Sequence, residues 1–244
     1  MLPVPGDLPV DGGWSYEVDW AGVRLLADVD QGELTLRTAD GEDVTARFPE
    51  FAGLVDAVAD GLLDGEAVML DGGSPSGEAL GERLHTSDAG RARAMARERP
   101  AVFMVYDVVR LYGVPLDPRP LEERRAVLSR LDLSQSTRIQ ISPAYDDGPA
   151  LLAGVIAQHL SGVIAKRRGT PYRPGDSGGD WIRVDPALAA RPSRPRGPEG
   201  FEGSDGVDVP PTAPVSPAGP VTPPPSRRPR HARRERTPQH DTLF

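Results

Sequence analysis

The uneven distribution of proline divides this chain of 244 residues into two unlike parts. Residues 189–244 hold 13 of the 27 prolines, few large apolar side chains and no hydrophobic period. A segment of that kind cannot bury enough apolar surface to offset the entropy lost on folding. We therefore expect a folded domain over residues 1–188 and a disordered Pro/Arg-rich tail over residues 189–244.

Composition excludes several classes of protein. No apolar run approaches the ~20 residues that a membrane helix needs, and the first residues lack the charged and apolar regions of a signal peptide. The sequence has no cysteine, and its four histidines are scattered without the spacing of metal ligands. We expect a soluble cytoplasmic protein that has no membrane contact and no metal site.

Periodic patterns between residues 14 and 188 predict strands and helices in turn. Alternation of apolar and polar residues over 33–37, after the turn at 30–32, predicts an antiparallel hairpin with the preceding strand. The continuous apolar run 101–109 predicts a strand buried on both faces. The remaining strands are predicted over 15–20, 23–29, 62–71, 139–142, 161–167 and 181–185. Helices are predicted from Pro49 to before Gly61 and over 78–85, 88–99, 120–131 and 149–160.

One stretch carries a specific sequence pattern. Residues 16–24 read Y-E-V-D-W-A-G-V-R. This resembles the first motif of the ATP-dependent DNA ligases, and especially of the ligase module of bacterial end-joining enzymes, which reads roughly Y-E-x-K-W-D-G-x-R. Further motifs similar to that family follow in the family's order: 63–71 (L-D-G-E-A-V-M-L-D), 101–109, 161–167 (S-G-V-I-A-K-R), 171–175 (P-Y-R-P-G) and 181–185 (W-I-R-V-D).

The resemblance implies the fold of the ligase nucleotidyltransferase domain for residues 1–188. That fold is an α+β arrangement of antiparallel sheets flanked by helices. In the family, the lysine of the first motif is the nucleophile that attacks the α-phosphate of ATP and carries AMP as a covalent adduct. Position 19 of this chain holds Asp19 instead, and a carboxylate cannot form that bond.

Other departures from the family also fall on functional positions. The changed positions are the acidic partner in the first motif (Ala21), the nucleotide-contacting arginine (Ala39), the metal-associated glutamate (Ser161) and two phosphate-binding lysines (Arg183 and Asp185). The retained positions are Gly22 and Trp181 and, as remnants of the nucleotide pocket, Arg24, Glu66, Tyr106 and Lys166. The family uses the aromatic residue at the position of Tyr106 to stack on adenine and the lysine at the position of Lys166 on phosphate. The base-facing side of a nucleotide pocket is therefore retained in sequence, while the phosphate-facing side is altered.

These residues lead to one favoured function and two alternatives. The favoured interpretation is a relative of the ATP-dependent DNA ligases that has lost catalysis and serves as a binding or scaffold module. No ATP or Mg²⁺ cofactor is then expected, although the family uses both. The first alternative is an active ligase or nucleotidyltransferase with a rearranged site, for which Lys166, the chain's only lysine, is the candidate nucleophile. The second is a nucleoside-binding sensor.

Charge bears on the expected partners. Residues 189–244 carry nine arginines and six acidic residues, so residues 1–188 hold a net charge of about −11 against −8 for the whole chain. Proteins that grip DNA draw much of their affinity from cations on phosphates. We expect weak or no DNA binding by the folded domain, and partners among DNA repair proteins. The arginines between Arg227 and Arg236 are the candidate contact for nucleic acid or an acidic protein.

Overall fold

The computed structural model describes residues 1–71, 74–133 and 136–189. The strands are β1 (Val4–Pro5), β2 (Trp14–Asp19), β3 (Val23–Asp30), β4 (Glu33–Thr38), β5 (Gly61–Val68), β6 (Leu70–Asp71), β7 (Ser74–Pro75), β8 (Val102–Leu111), β9 (Val114–Pro115), β10 (Ile139–Ile141), β11 (Gly162–Arg167) and β12 (Trp181–Val184). The α-helices are α1 (Leu54–Ala57), α2 (Gly77–Leu84), α3 (Ala89–Glu98), α4 (Leu121–Leu128), α5 (Gly148–Ala157) and α6 (Pro186–Ala189).

Two sheets form the centre of the domain. The larger has the strand order β10-β8-β5-β3-β4, with β9 also paired to β8. The smaller has the order β1-β12-β11-β2. Strands β6 and β7 make a separate small hairpin.

The predicted antiparallel pairing is confirmed at the centre of both sheets and is wrong at two edges. Strand β10 runs parallel to β8, and β1 runs parallel to β12. A parallel pair needs a long connection instead of a tight hairpin. Between β8 and β10 that connection includes α4, and β1 and β12 come from opposite ends of the described chain. The sheets are therefore mixed.

The hairpin of β3 and β4 forms where the sequence predicts it. Gln31 and Gly32 connect the strands with φ angles of 50° and 80°. Positive φ at both central residues is the requirement of the type I′ turn, whose twist matches that of the flanking strands. Asp30 then pairs with Glu33 and starts an unbroken register.

The buried strand predicted over 101–109 is β8, which lies between β5 and β10. Every residue from Phe103 to Val109 is buried, as the continuous apolar run indicates. Asp107, the charged residue within this buried run, is paired with Arg124 of α4 through two contacts of 2.8 Å each. Helix α4 is thus attached to the sheet by a buried, bidentate ion pair as well as by Leu121 and Leu128.

Four of the five predicted helices are confirmed as α2, α3, α4 and α5, although each ends earlier than predicted. The helix predicted from Pro49 is mostly 3-10 turns, at Thr45–Arg47 and Pro49–Phe51, followed by the four residues of α1. Gly53 precedes α1 and lowers the stability of a continuous helix there. Leu54 and Val58 are nevertheless buried in the main core, as predicted.

Helix α6 is the last element that the structure describes. The predictions for residues 189–244, including the disordered tail and the contact through Arg227–Arg236, fall outside the described residues, apart from Ala189 at the end of α6. None of the helices in the described ranges has the length and apolar character needed to cross a membrane.

Candidate ligand-binding site

A cavity of about 210 Å³ lies where strands from both sheets meet. Its walls include residues of β2, β3, β5, β8, β11 and β12, and the N-terminal residues Leu2 and Pro3 line it as well. The charged lining residues are Glu17, Arg24, Glu66 and Lys166. The aromatic ones are Trp20, Tyr106 and Trp181. The structure thus brings together all four residues predicted to be retained from a nucleotide pocket.

Lys166 is held inside the protein by three neighbours. Its Nζ lies 2.8 Å from Oε1 of Glu17, which sits on the adjacent strand β2. The same ammonium lies 4.0 Å from the ring centre of Tyr106 and 4.4 Å from that of Trp181. Only 2% of the residue is exposed, and burial lowers the pKa of its amine. The positive charge of Lys166 therefore interacts with Glu17 and with the two aromatic rings inside the protein.

Asp19 ends β2 and faces Arg183 of β12. Its Oδ2 lies 2.6 Å from Nε of Arg183, and its Oδ1 accepts a hydrogen bond from the backbone N–H of Ala21 at 3.1 Å. Asp19 is 5% exposed, whereas the Arg183 side chain is about half exposed. Val18 and Trp20 on either side of Asp19 line the cavity, while Asp19 itself is turned to this ion pair.

Glu66 is the carboxylate of the cavity wall that has no cationic side chain bonded to it in the described part of the chain. Its Oε2 accepts the backbone N–H of Gly22 at 3.1 Å. A side chain at position 22 would collide with the backbone oxygen of Ala67, so glycine is required for this close approach. Burial, followed by the negative charge of Asp19, raises the pKa of Glu66.

Arg24 lines the cavity, and its guanidinium is bonded to other residues of the domain. Its guanidinium makes a bidentate pair with the fully buried Asp64, at 3.0 and 2.6 Å. It also donates to the hydroxyl of Tyr172 and to the backbone oxygen of Met1. The adjacent Asp64 carboxylate keeps the pKa of Arg24 raised despite burial. Arg24 therefore ties β3 to β5, to the N-terminal stretch and to the loop before β12.

None of the six changed positions, Ala21 included, is among the residues that line the cavity. Ala39 is exposed in the turn after β4, Ser161 precedes β11, and Asp185 is exposed after β12. The carboxylate of Asp185 accepts the backbone N–H of Ala187 at 2.8 Å and so caps the first turn of α6. Among the described residues, no cluster of three or more His, Cys, Asp or Glu side chains could hold a metal ion.

Sequence reasoning missed several lining residues. Glu17 lies inside the first motif, but its role as the partner of Lys166 depends on the pairing of β2 with β11, which joins residues about 150 positions apart. Leu2 and Pro3 belong to the Pro/Gly-rich residues 1–13, where the sequence shows no pattern that would indicate a binding site. Trp20 lies in the first motif, residues 16–24, but the sequence does not predict a role for it. Its indole donates a hydrogen bond to Oγ of Ser142 at 3.1 Å.

Comparison with known proteins identifies the family to which this site belongs. Residues 10–184 match the sequence profile of the ATP dependent DNA ligase domain. The chain belongs to the ATP-dependent DNA ligase family. Its α+β fold with mixed sheets is also that of mycobacterial DNA ligase D complexed with ATP and MES, with a TM-score of 0.62 and 30% identity over 76% of this chain and 59% of that one.

Two related proteins are also similar to this chain in sequence. The multifunctional non-homologous end joining DNA repair protein LigD of Mycobacterium tuberculosis (strain H37Rv) is 33% identical over 174 residues, which cover 70% of this chain and 21% of that protein. The SPbeta prophage-derived DNA ligase-like protein LigB of Bacillus subtilis is 28% identical over 71% of this chain and 62% of that protein. The matched region of this ligase-family chain thus spans about a fifth of the end-joining protein.

Proposed function

We propose that this member of the ATP-dependent DNA ligase family does not transfer adenylyl groups and acts as a binding or scaffold module. The observation that carries the proposal is the ion pair between Asp19 and Arg183. Asp19 occupies the position of the family's nucleophilic lysine, and Arg183 occupies a position of a phosphate-binding lysine. Each neutralises the other, so neither is free to react with a phosphate or to bind one.

The size of the expected effect supports the loss of catalysis. Removing the nucleophile from an enzyme that works through a covalent intermediate typically lowers the rate by a factor on the order of 10⁶. A carboxylate that approaches a phosphate to ~4 Å adds a repulsion of about 4 kcal/mol at an effective dielectric constant of ~20. Both effects act at position 19, on the strand that forms one wall of the cavity.

The residues present do not fit a metal-bound triphosphate. Lys166, which the family uses on phosphate, is buried against Glu17 at 2.8 Å. Asp19, between the lining residues Val18 and Trp20, places a carboxylate where the family has a cation, which raises the free-energy cost of placing an anion there. We therefore propose that neither ATP nor Mg²⁺ is a cofactor of this chain.

A second candidate function is adenylyl transfer through Lys166. One observation favours it: burial lowers the pKa of Lys166, and an attacking amine must be uncharged. The ion pair with Glu17 and the exposure of only 2% oppose it, because the amine cannot reach a substrate without a rearrangement of the pocket.

The proposed partners are DNA repair proteins, since the relatives named above include an end-joining DNA repair protein. The net charge of about −11 on residues 1–188 favours protein partners over direct binding of DNA by this domain. Within the proposal, residues 189–244 form a separate tail whose arginines, from Arg227 to Arg236, contact nucleic acid or an acidic protein. A cytoplasmic location is part of the same proposal.

The test is a search for a covalent AMP adduct. The purified full-length chain is incubated with ATP and either Mg²⁺ or Mn²⁺, and its intact mass is measured beside that of an active ATP-dependent ligase. We expect an AMP adduct on the control and an unchanged mass for this chain. An adduct on the wild-type chain would overturn the proposal, and its loss in Lys166→Ala would assign it to the second candidate.

A further inference from the structure

A second, larger concavity lies between helix α5, the end of β2 and the β6–β7 hairpin. We call it the α5 groove, and its volume is about 690 Å³. Its walls are mainly apolar and aromatic, and they include Trp20, Leu70, Pro75, Tyr145, Leu151 and Val155. A groove of this size with such walls is suited to bind part of another molecule or chain segment.

The wall formed by α5 presents apolar surface that the domain leaves open. Gly148–Ala157 contains no charged or polar side chain, and a helix that is apolar on every side is normally buried on every side. Ile156 of this helix is nevertheless 44% exposed. Leu70 and Tyr145, which line the groove, are 51% and 42% exposed. Exposed apolar surface beside a groove indicates a place where a chain segment docks.

One end of the α5 groove is acidic. Asp146 and Asp147 line it, just before α5 begins. Asp147 accepts the backbone N–H of Ala150 at 2.9 Å and so caps the helix. The side chain of Asp146 is 91% exposed and pairs with Arg168. Two carboxylates are present against one guanidinium, so this end attracts a ligand that carries positive charge.

The sequence of this chain contains a segment of complementary chemistry. Five prolines recur at every third position: Pro211, Pro214, Pro217, Pro220 and Pro223. A polyproline II helix has three residues per turn, so prolines at this period share one face of such a helix. Arg227, Arg228 and Arg230 follow the repeat. Proline-rich segments of this class bind grooves that are lined by aromatic side chains.

The length of the chain permits the repeat to reach the groove. The last described helix, α6, contacts α5. Residues 190–210 connect α6 to the first proline of the repeat. A compact coil of that length spans about 25 Å on average, and an extended chain spans more. The proline repeat is therefore tethered near the helix that forms the groove.

We propose that the α5 groove binds residues 211–230 of this chain as a polyproline II helix. The proline face lies against Trp20 and Tyr145, and the arginines lie at the acidic end of the groove. This inference goes beyond the proposed function, because it holds whether or not the chain transfers adenylyl groups. It leaves the arginines at 233, 234 and 236 for a contact with nucleic acid or an acidic protein.

Disulfide cross-linking of the full-length chain tests this contact. The chain has no cysteine, so a pair of cysteines can be introduced without interference. Gly154 lines the groove, and a Cβ at this position meets no other atom within 4 Å. Gly81 of α2 is the matched control, because a Cβ there also has open space, and Gly81 is not among the residues that line the groove.

The second cysteine is placed in turn at Ala213, Ala218 and Ser226, which sample the length of the segment. With at least one of these positions, we expect Gly154→Cys to form an intramolecular disulfide at least about tenfold faster than Gly81→Cys does, because docking raises the effective concentration of one thiol at the other. Electrophoresis without reductant measures both rates under mild oxidation. Equal rates at all three positions, or a disulfide that joins two copies of the chain, would overturn the proposal.

Trypsin digestion is a second test, and it does not depend on which residue of the segment faces Gly154. Trypsin cleaves after arginine, so Arg227 is a cleavage site within the segment and Arg233 is one beyond it. Proteolysis follows the population of the open form, and docking therefore slows cleavage after Arg227. Mass spectrometry of the early fragments gives the rate at each site in the same sample.

Two exposed tyrosines provide matched variants for the digestion. Tyr145 lines the groove, whereas Tyr112, which is 61% exposed, lies between β8 and β9 and is not among the lining residues. We expect Tyr145→Ala to speed cleavage after Arg227 about three- to tenfold, because truncating an aromatic contact releases the segment. Tyr112→Ala should leave that rate unchanged, and neither variant should alter cleavage after Arg233. Equal effects of the two substitutions, or no effect of Tyr145→Ala, would contradict the proposal.

Discussion

Two ion pairs of the same chemistry have different surroundings in this domain. Asp107 and Arg124 join β8 to α4 with both side chains fully buried. Asp19 and Arg183 join β2 to β12 beside the cavity, with the arginine about half exposed to solvent. The first pair lies within the core that builds the fold, and the second lies beside the cavity, at two of the positions predicted from the sequence to be changed from the ligase family.

The difference shows which charges the fold depends on. Breaking a fully buried pair leaves one charge without compensation in a low-dielectric interior, which is strongly destabilising. Breaking a pair with an exposed partner leaves that partner hydrated, and the loss is small. The fold therefore depends less on the carboxylate of Asp19 than on that of Asp107.

The largest expected effect is at the buried pair. Asp107→Asn removes the charge that compensates Arg124 and should lower the free energy of unfolding by about 3–5 kcal/mol. Urea denaturation followed by circular dichroism measures this loss. The double variant Asp107→Leu with Arg124→Leu should cost less than the sum of the two single Leu variants, because no unpaired charge remains. Strict additivity would show that the pair is not coupled.

A smaller effect, dependent on pH, is expected at Glu66. The folded-state pKa of Glu66 is raised above its ordinary value of 4.5, so the native state binds more protons than the unfolded state just above that pH. This contribution to stability is present at low pH and is lost as the pH rises through the folded pKa. We expect the free energy of unfolding of Glu66→Gln, relative to that of the wild type, to increase from pH 4 to pH 7.

Denaturant unfolding at both pH values checks that prediction. Glu33→Gln is the control, because Glu33 is exposed at the start of β4. The difference in free energy of unfolding between Glu33→Gln and the wild type should be the same at pH 4 and pH 7. If the difference in free energy of unfolding between Glu66→Gln and the wild type is also the same at both pH values, the result contradicts a buried carboxyl at this site.

The smallest effect is expected at the pair beside the cavity. Asp19→Ala should lower the free energy of unfolding by no more than about 1 kcal/mol, since Arg183 returns to water. Arg183→Ala should cost more than Asp19→Ala, because it leaves the carboxylate of Asp19, which is 5% exposed, without its cation. Raising the salt concentration should shrink the loss in Asp19→Ala. If Asp19→Ala lowered the free energy of unfolding as much as Asp107→Asn does, the two ion pairs would not differ in their contribution to stability.

Local patterns were sufficient to predict much of this fold. The turn at Gln31 and Gly32, the buried strand β8 and four helices follow from periodicity, turn residues and capping, which depend on neighbours in the sequence. The family motifs then predicted that Arg24, Glu66, Tyr106 and Lys166 line one cavity, as they do.

The remaining features depend on contacts between distant residues. The parallel edges at β1 and β10 could not be read from strand patterns, because alternation is the same in parallel and antiparallel neighbours. The pairing of Asp19 with Arg183 joins residues 164 positions apart and was not predicted from the two substitutions.

The pair of Asp19 and Arg183 also bears on how such a chain can evolve. A lysine at position 19 would place an ammonium against the guanidinium of Arg183, where the carboxylate now lies 2.6 Å away. An Asp19→Lys change alone therefore exchanges an attraction for a repulsion, and a lysine is favourable there only together with a change on β12. The charges at positions 19 and 183 are coupled, so that neither can be reversed independently of the other.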